Sequence, residues 1–163
     1  MTELNDVSSY CEASFLANVE VMAKNYCGRP EDLVLLLQEI QSLQNYLPRE
    51  ALYVVASVLG ISESQVYGVA TFYSMLSTKP RGRHIIRICE SAPCHVLGAK
   101  KVIDSLLNIL EVEIGGTTKD GRFTVETSSC LGVCAVAPAI MIDDTVYGNL
   151  ALDNLVEILA RYD

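Results

Sequence analysis

Four cysteines fall into two close pairs, Cys89 and Cys94 in "CESAPC" and Cys130 and Cys134 in "CLGVC". The spacings are C-x4-C and C-x3-C, with 35 residues between the pairs. Each spacing lets one short loop aim two sulfurs at a common point, and four thiolates at such a point make a metal centre. Soft thiolates select both zinc and iron-sulfur clusters. Structural zinc sites favour C-x2-C knuckles in folds too small to stand alone. A 2Fe-2S cluster takes four cysteines, two per iron, and its larger size suits the wider loops. Zinc is kept as the alternative. A dithiol-disulfide enzyme is the third reading, but the C-x-x-C it uses is absent and four thiols exceed its need.

The residues around the pairs add detail. His84 and His95 are the only histidines. A Rieske-type site puts two histidines on one iron, and no second histidine accompanies His95, so both are expected to be non-ligands. A helix is expected to begin just after Cys94, turning its free N–H groups and positive dipole end toward a negatively charged cluster. Gly132 would let backbone amides approach the sulfurs. Cys11 and Cys27 lie in helical patterns away from these loops and are expected to be buried small hydrophobes.

Positioning such a site falls to a chain of 163 residues, half of them apolar, which is enough for a core without disulfide staples. The first residues include acids and no apolar leader, and no uncharged run approaches a membrane span. The expectation is a cytoplasmic protein, soluble or on the cytoplasmic side of a membrane complex, with its thiols reduced. The net charge of -8 divides as 4 basic against 9 acidic residues in 1–80 and 8 against 11 in 81–163, which disfavours polyphosphate. One basic stretch, "KPRGRHIIR", reads as solvated charge or as a docking point for an acidic partner.

Residues 14–76 read as helix. Leu33, Leu36, Leu37, Ile40, Leu43 and Leu47 keep a helical period. Pro48 ends that helix and starts another, Gly60 suits a left-handed cap, and Ser62 with Gln65 suits a capping box. Four helices form a bundle whose own core is expected to be thin. Residues 52–75 imitate a helix-turn-helix, but "SESQVYGVATFYSML" carries no Lys or Arg to meet phosphate, so no nucleic-acid role is expected.

At "KPRG" the period changes, placing a boundary between a helical bundle, 1–80, and a second domain, 81–163. There "RHIIRIC" reads as a strand and "HVLGAKKVIDSLLNIL" as one helix with Val96, Ile103, Leu106 and Leu110 inward. "TTKDGRFTVETSS" reads as an Asp-Gly turn and a strand alternating Phe123, Val125 and Thr127. "AIMIDDTVYGN" is a hairpin turning at Asp143 and Asp144, and "ALDNLVEILARY" a helix burying Leu152, Leu155, Val156 and Leu159. One right-handed crossover makes the first two strands parallel, an α/β layer architecture of the thioredoxin kind.

"YGVATFYSML", "KPRGRHIIRICESAPCHVLGAKK" and "CLGVCAVAPAIMIDDTVYGNL" together resemble the thioredoxin-like 2Fe-2S ferredoxin subunit of NADH dehydrogenases. That is the family of the 24-kilodalton-type subunit of respiratory complex I, shared with NAD-linked and electron-bifurcating hydrogenases and formate dehydrogenases. The resemblance runs over about residues 14–162. It implies a thioredoxin-like 2Fe-2S ferredoxin domain preceded by an N-terminal helical bundle, and one 2Fe-2S cluster on Cys89, Cys94, Cys130 and Cys134. It also implies a flavoprotein partner carrying FMN and NADH, with further iron-sulfur or hydrogenase-type subunits. The chain has no G-x-G-x-x-G after a strand and no P-loop. A one-electron carrier subunit without a substrate site or catalytic residue of its own is therefore expected. A hydrogenase-type or bifurcating complex is slightly preferred over NADH:quinone oxidoreductase or formate dehydrogenase. A zinc-stabilised interaction domain is the alternative.

Overall fold

The structure is a computed structural model describing residues 4–162; the side chains of residues 4–12 and of Leu152 lie outside the description, and with them the expectations for Cys11 and Leu152. Two compact units divide between Pro80 and Arg81.

The first unit holds α1 (Leu4–Asn25), α2 (Leu33–Gln41), α3 (Arg49–Leu59) and α4 (Glu63–Phe72). Local chemistry sets their ends. Pro48 is the residue before α3, Gly60 closes that helix at φ 67°, and the Ser62 hydroxyl accepts from the Gln65 N–H at 3.3 Å to start α4. The period expected to run on to Leu47 stops sooner. The helix ends at Gln41, where Gln41 Nε2 donates to the Met75 carbonyl and its Oε1 accepts from the Ser77 N–H, and Leu43 turns outward.

The core of this unit is fuller than the sequence implies. Val19, Leu36, Leu37, Ile40, Leu47, Val55 and Val66 are wholly buried, and burying each aliphatic side chain contributes about 1.5–3 kcal/mol. Tyr67, Phe72, Tyr73 and Met75 remain exposed, Phe72 by 80%. Cys27 is exposed too, rather than a buried hydrophobe, because it falls in the turn after α1.

The second unit is a four-stranded sheet in the order β2-β1-β3-β4, with β1 (His84–Cys89), β2 (Phe123–Ser128), β3 (Ile140–Ile142) and β4 (Thr145–Tyr147). The β1–β2 pair is parallel, and the others are antiparallel. The hairpin between β3 and β4 turns on Asp143, at φ 52°. Its carboxylate reaches back to β1, one oxygen accepting from the Ile85 N–H at 2.9 Å and the other 2.7 Å from His84 Nδ1.

The single helix expected after β1 is two helices, α5 (Ala92–Val96) and α6 (Ala99–Leu110), parted at Gly98, whose φ of 95° no helix can hold. Val96 is consequently 82% exposed, and Ala99, Val102 and Leu106 carry the buried face. On α7 (Leu152–Leu159), Leu155, Ile158 and Leu159 are buried and Val156 is 60% exposed, so the inward stripe is rotated from the one expected.

Alternation on β2 also fails. Phe123, Thr124 and Val125 are all buried, while Thr127 is exposed. Thr124 Oγ1 accepts from the Gly82 N–H at 2.7 Å and lies 2.7 Å from Thr117 Oγ1, which lets a polar side chain stay inside. Thr124→Val keeps the shape and removes both bonds. It is expected to cost about 1–3 kcal/mol, read as a lower thermal midpoint; an unchanged midpoint would show that neither bond supports the fold.

Candidate metal centre

Cys89 is the last residue of β1 and pairs in register with Ser128, the last residue of β2. Because the two strands are parallel, the loops carrying both cysteine pairs leave the same end of the sheet. Cys94 sits on α5, reached through the turn at Ser91; Cys130 follows β2 by two residues, and Cys134 opens a short 3-10 turn, Cys134–Val136.

Cys89 and Cys94 are buried, packed with Ala99 and with Ile103, Leu131 and Ala137, whereas Cys130 and Cys134 are exposed. One pair is therefore sealed by apolar side chains and the other faces outward.

The thiols sense one another within and across the pairs. Burial pushes the Cys89 thiol up, but N–H groups of Ser91 and Leu131 and the side chains of Cys94 and Ser91 outweigh it and leave it below its ordinary value. Cys94 is pushed up by burial and by Cys89, against an opposing N–H from Ala139, with Cys134 adding to the rise. Cys134 is raised by its hydrogen bond and charge interaction with Cys130, and also by Cys89. The Gly132 N–H donates to Cys130 Sγ at 3.3 Å.

Among the described residues, no three His, Cys, Asp or Glu side chains are placed to hold a metal ion. A single zinc ion would draw its sulfurs to about 2.3 Å from one point. A 2Fe-2S cluster instead shares its thiolates two to each iron, and two close cysteine pairs, one on each loop, suit that division. Cys89, Cys94, Cys130 and Cys134 are the residues that could hold it.

Other expectations for this region change. Cys94 lies inside α5 rather than ahead of a long helix, since Gly98 interrupts the run, so individual loop amides and not a helix end approach the sulfurs. His95 is exposed on α5, and His84 is engaged with Asp143 at the opposite end of β1 from Cys89. Arg81 is not a solvated charge, because its side chain is 8% exposed and pairs with Glu126. Its guanidinium is pushed below its ordinary value by burial, against the carboxylate of Glu126. What the spacing of cysteines could not reveal is the amide set from Ser91, Leu131, Gly132 and Ala139; glycine at 132 was its one visible sign. Among the described residues, no helix is long and apolar enough to cross a membrane.

A family model described as thioredoxin-like [2Fe-2S] ferredoxin matches residues 19–163. The chain is 40% identical over 130 residues to the NADP-reducing hydrogenase subunit HndA of Solidesulfovibrio fructosivorans, covering 80% of this chain and 76% of that protein. It is 42% identical over 126 residues to an NADH-quinone oxidoreductase subunit of Pseudomonas aeruginosa, covering 77% of this chain and 76% of that one. A crystal structure of a NAD+-reducing [NiFe]-hydrogenase in the air-oxidised state superposes with a TM-score of 0.68 at 22% identity. The match covers 80% of this chain but only 23% of that one, and it bears on fold alone. With the family match, it bears out the thioredoxin-like α/β fold with helices ahead of it.

Proposed function

The chain belongs to the thioredoxin-like [2Fe-2S] ferredoxin family, and on that premise we propose that it is a one-electron carrier subunit of an NADH-linked oxidoreductase, holding one cluster on Cys89, Cys94, Cys130 and Cys134. The observation that carries this reading is that the loops bearing the two cysteine pairs leave the same end of the parallel β1–β2 pair, in a chain whose family is that of [2Fe-2S] ferredoxins.

Such a cluster, when bound, accepts and returns single electrons. The chain's own part is to hold and shield it. Cys89 and Cys94 supply buried thiolates, Ala99, Ile103, Leu131 and Ala137 exclude water around them, and loop N–H groups donate toward sulfur. Such donors favour the more negative state. The two-electron hydride chemistry of a nicotinamide nucleotide is assigned to a flavoprotein partner carrying FMN and NADH. The exposed Tyr67, Phe72, Tyr73 and Met75 of the helical unit are the docking face proposed for it.

Relatives named for a hydrogenase and for a quinone oxidoreductase match at nearly equal identity. The function they share, electron transfer beside a nicotinamide nucleotide, is the one proposed, in an assembly that is cytoplasmic or on the cytoplasmic side of a membrane complex.

The test is anaerobic purification of the full chain. About two iron and two sulfide per chain are expected, with visible absorption that bleaches on taking up about one electron from dithionite. NADH should bleach it only when the flavoprotein partner is added. Stoichiometric zinc without acid-labile sulfide would replace this reading with a zinc-stabilised interaction domain.

A further inference from the structure

Gly132 stands between Cys130 and Cys134 at φ 78°, in the left-handed region, and its N–H donates to Cys130 Sγ at 3.3 Å. Leu131, the residue before it, packs against the buried Cys89 and Cys94 of the other pair, and its N–H draws the Cys89 thiol down. Two successive amides of one turn thus address sulfurs of both pairs. Successive N–H groups in a turn that includes a left-handed residue form a concavity suited to anions. A 2Fe-2S cluster on four thiolates is an anion, and reduction adds one more negative charge to it.

We infer that the Leu131 and Gly132 amides form an anion-binding nest that stabilises the reduced cluster more than the oxidised one, and that the left-handed turn at Gly132 holds the nest in place. The inference rests on the proposed assignment of the cluster to these four cysteines. Gly132 is a positioning residue here, since its backbone and not a side chain acts.

Space does not explain the glycine. A Cβ added at Gly132 meets nothing within 4 Å, whereas at Gly148 it would collide with Val136. Backbone conformation is the demand, because an L-residue other than asparagine or aspartate is strained where φ is positive. Gly132→Ala therefore has room but relaxes the turn and carries the amides away from sulfur. Gly132→Asn keeps the left-handed turn, and the exposed position accepts its amide side chain.

The experiment is a potentiometric titration of the full-length protein and both variants, followed by EPR of the reduced form. Iron, sulfide and the visible spectrum are read first; a wild-type chain that assembles no cluster refutes the parent assignment and not the nest alone. With cluster present, Gly132→Ala is expected to be about threefold harder to reduce, about 28 mV lower at 59 mV per tenfold for one electron. Gly132→Asn is expected to stay near the wild type. Equal midpoints for alanine and wild type, or an equal fall in both variants, would overturn the nest. Should Gly132→Ala assemble no cluster, pulsed EPR of reduced wild-type protein decides. It should show a backbone nitrogen and an exchangeable proton coupled to the cluster, and their absence counts against the inference.

Discussion

Serine in place of Cys89, Cys94, Cys130 or Cys134 should abolish or visibly alter the absorption of the anaerobically purified chain, while Cys27→Ser should leave it unchanged. An alkoxide is a harder and far more basic donor than a thiolate, so a serine binds iron poorly where a soft ligand is wanted. The loss should be steeper at Cys89 and Cys94. Those sulfurs are buried among Ala99, Ile103, Leu131 and Ala137, where water cannot enter to complete the coordination. At the exposed Cys130 and Cys134 a serine or water oxygen can take the vacated place, giving a shifted spectrum and not an empty site. Iron falling from about two per chain toward zero in the first two variants, with an altered EPR signal in the other two, is the expected pattern. Four intact spectra would remove the basis of the ligand set.

The second large effect lies outside the cysteines. Gly148→Ala should destabilise the second unit and empty the site together. A Cβ there would stand 2.5 Å from Val136 Cβ and 2.7 Å from its carbonyl oxygen, with Val136 Cγ2 closer still. Val136 closes the same short turn that Cys134 opens. The neighbouring segment clasps that turn, the Asn149 N–H donating to the Val136 carbonyl at 2.6 Å and the Leu150 N–H to the Pro138 carbonyl at 3.2 Å. Neither side has slack, so the added methyl must displace backbone, at a cost of about 1–3 kcal/mol. A thermal midpoint lowered by several degrees, with iron content lowered in step, is expected. Wild-type values of both would mean that the turn yields without moving Cys134.

How far these features could be read in advance differs from element to element. Pro48, Gly60 and Ser62 marked helix ends because each acts through its own backbone or the next few residues. The parallel crossover was likewise legible, since strand, helix and strand in sequence leave little topological choice. Val96 and Val156 misled because periodicity assumes an unbroken helix and a fixed facing surface. Gly98 broke the first assumption, and the seat of α7 on the sheet decided the second. The burial of Arg81 depends on Glu126, 45 positions away, and that of Thr124 on Gly82 and Thr117. No local pattern contains partners so distant. For the site, the cysteine spacing pointed to a metal, but which pair would be sealed and which exposed followed only from the packing of α6 and the Cys130 loop.

The parallel rung joining Cys89 to Ser128 has a bearing on how such a chain can change in length. One residue inserted within β1 ahead of Cys89 would turn that side chain to the opposite face of the sheet, and the first of the proposed ligands would be lost in a single step. Between α6 and β2, residues 115–118 are tied to Phe123, Thr124 and Val125, but the exposed turn at 119–121 beyond them faces no such parity rule. Lengthening it costs only the slowly growing entropy of closing a longer loop. Insertions and deletions should therefore accumulate on that turn of the crossover and be purged from the strand ends, leaving the proposed electron site on the part of the chain least free to drift.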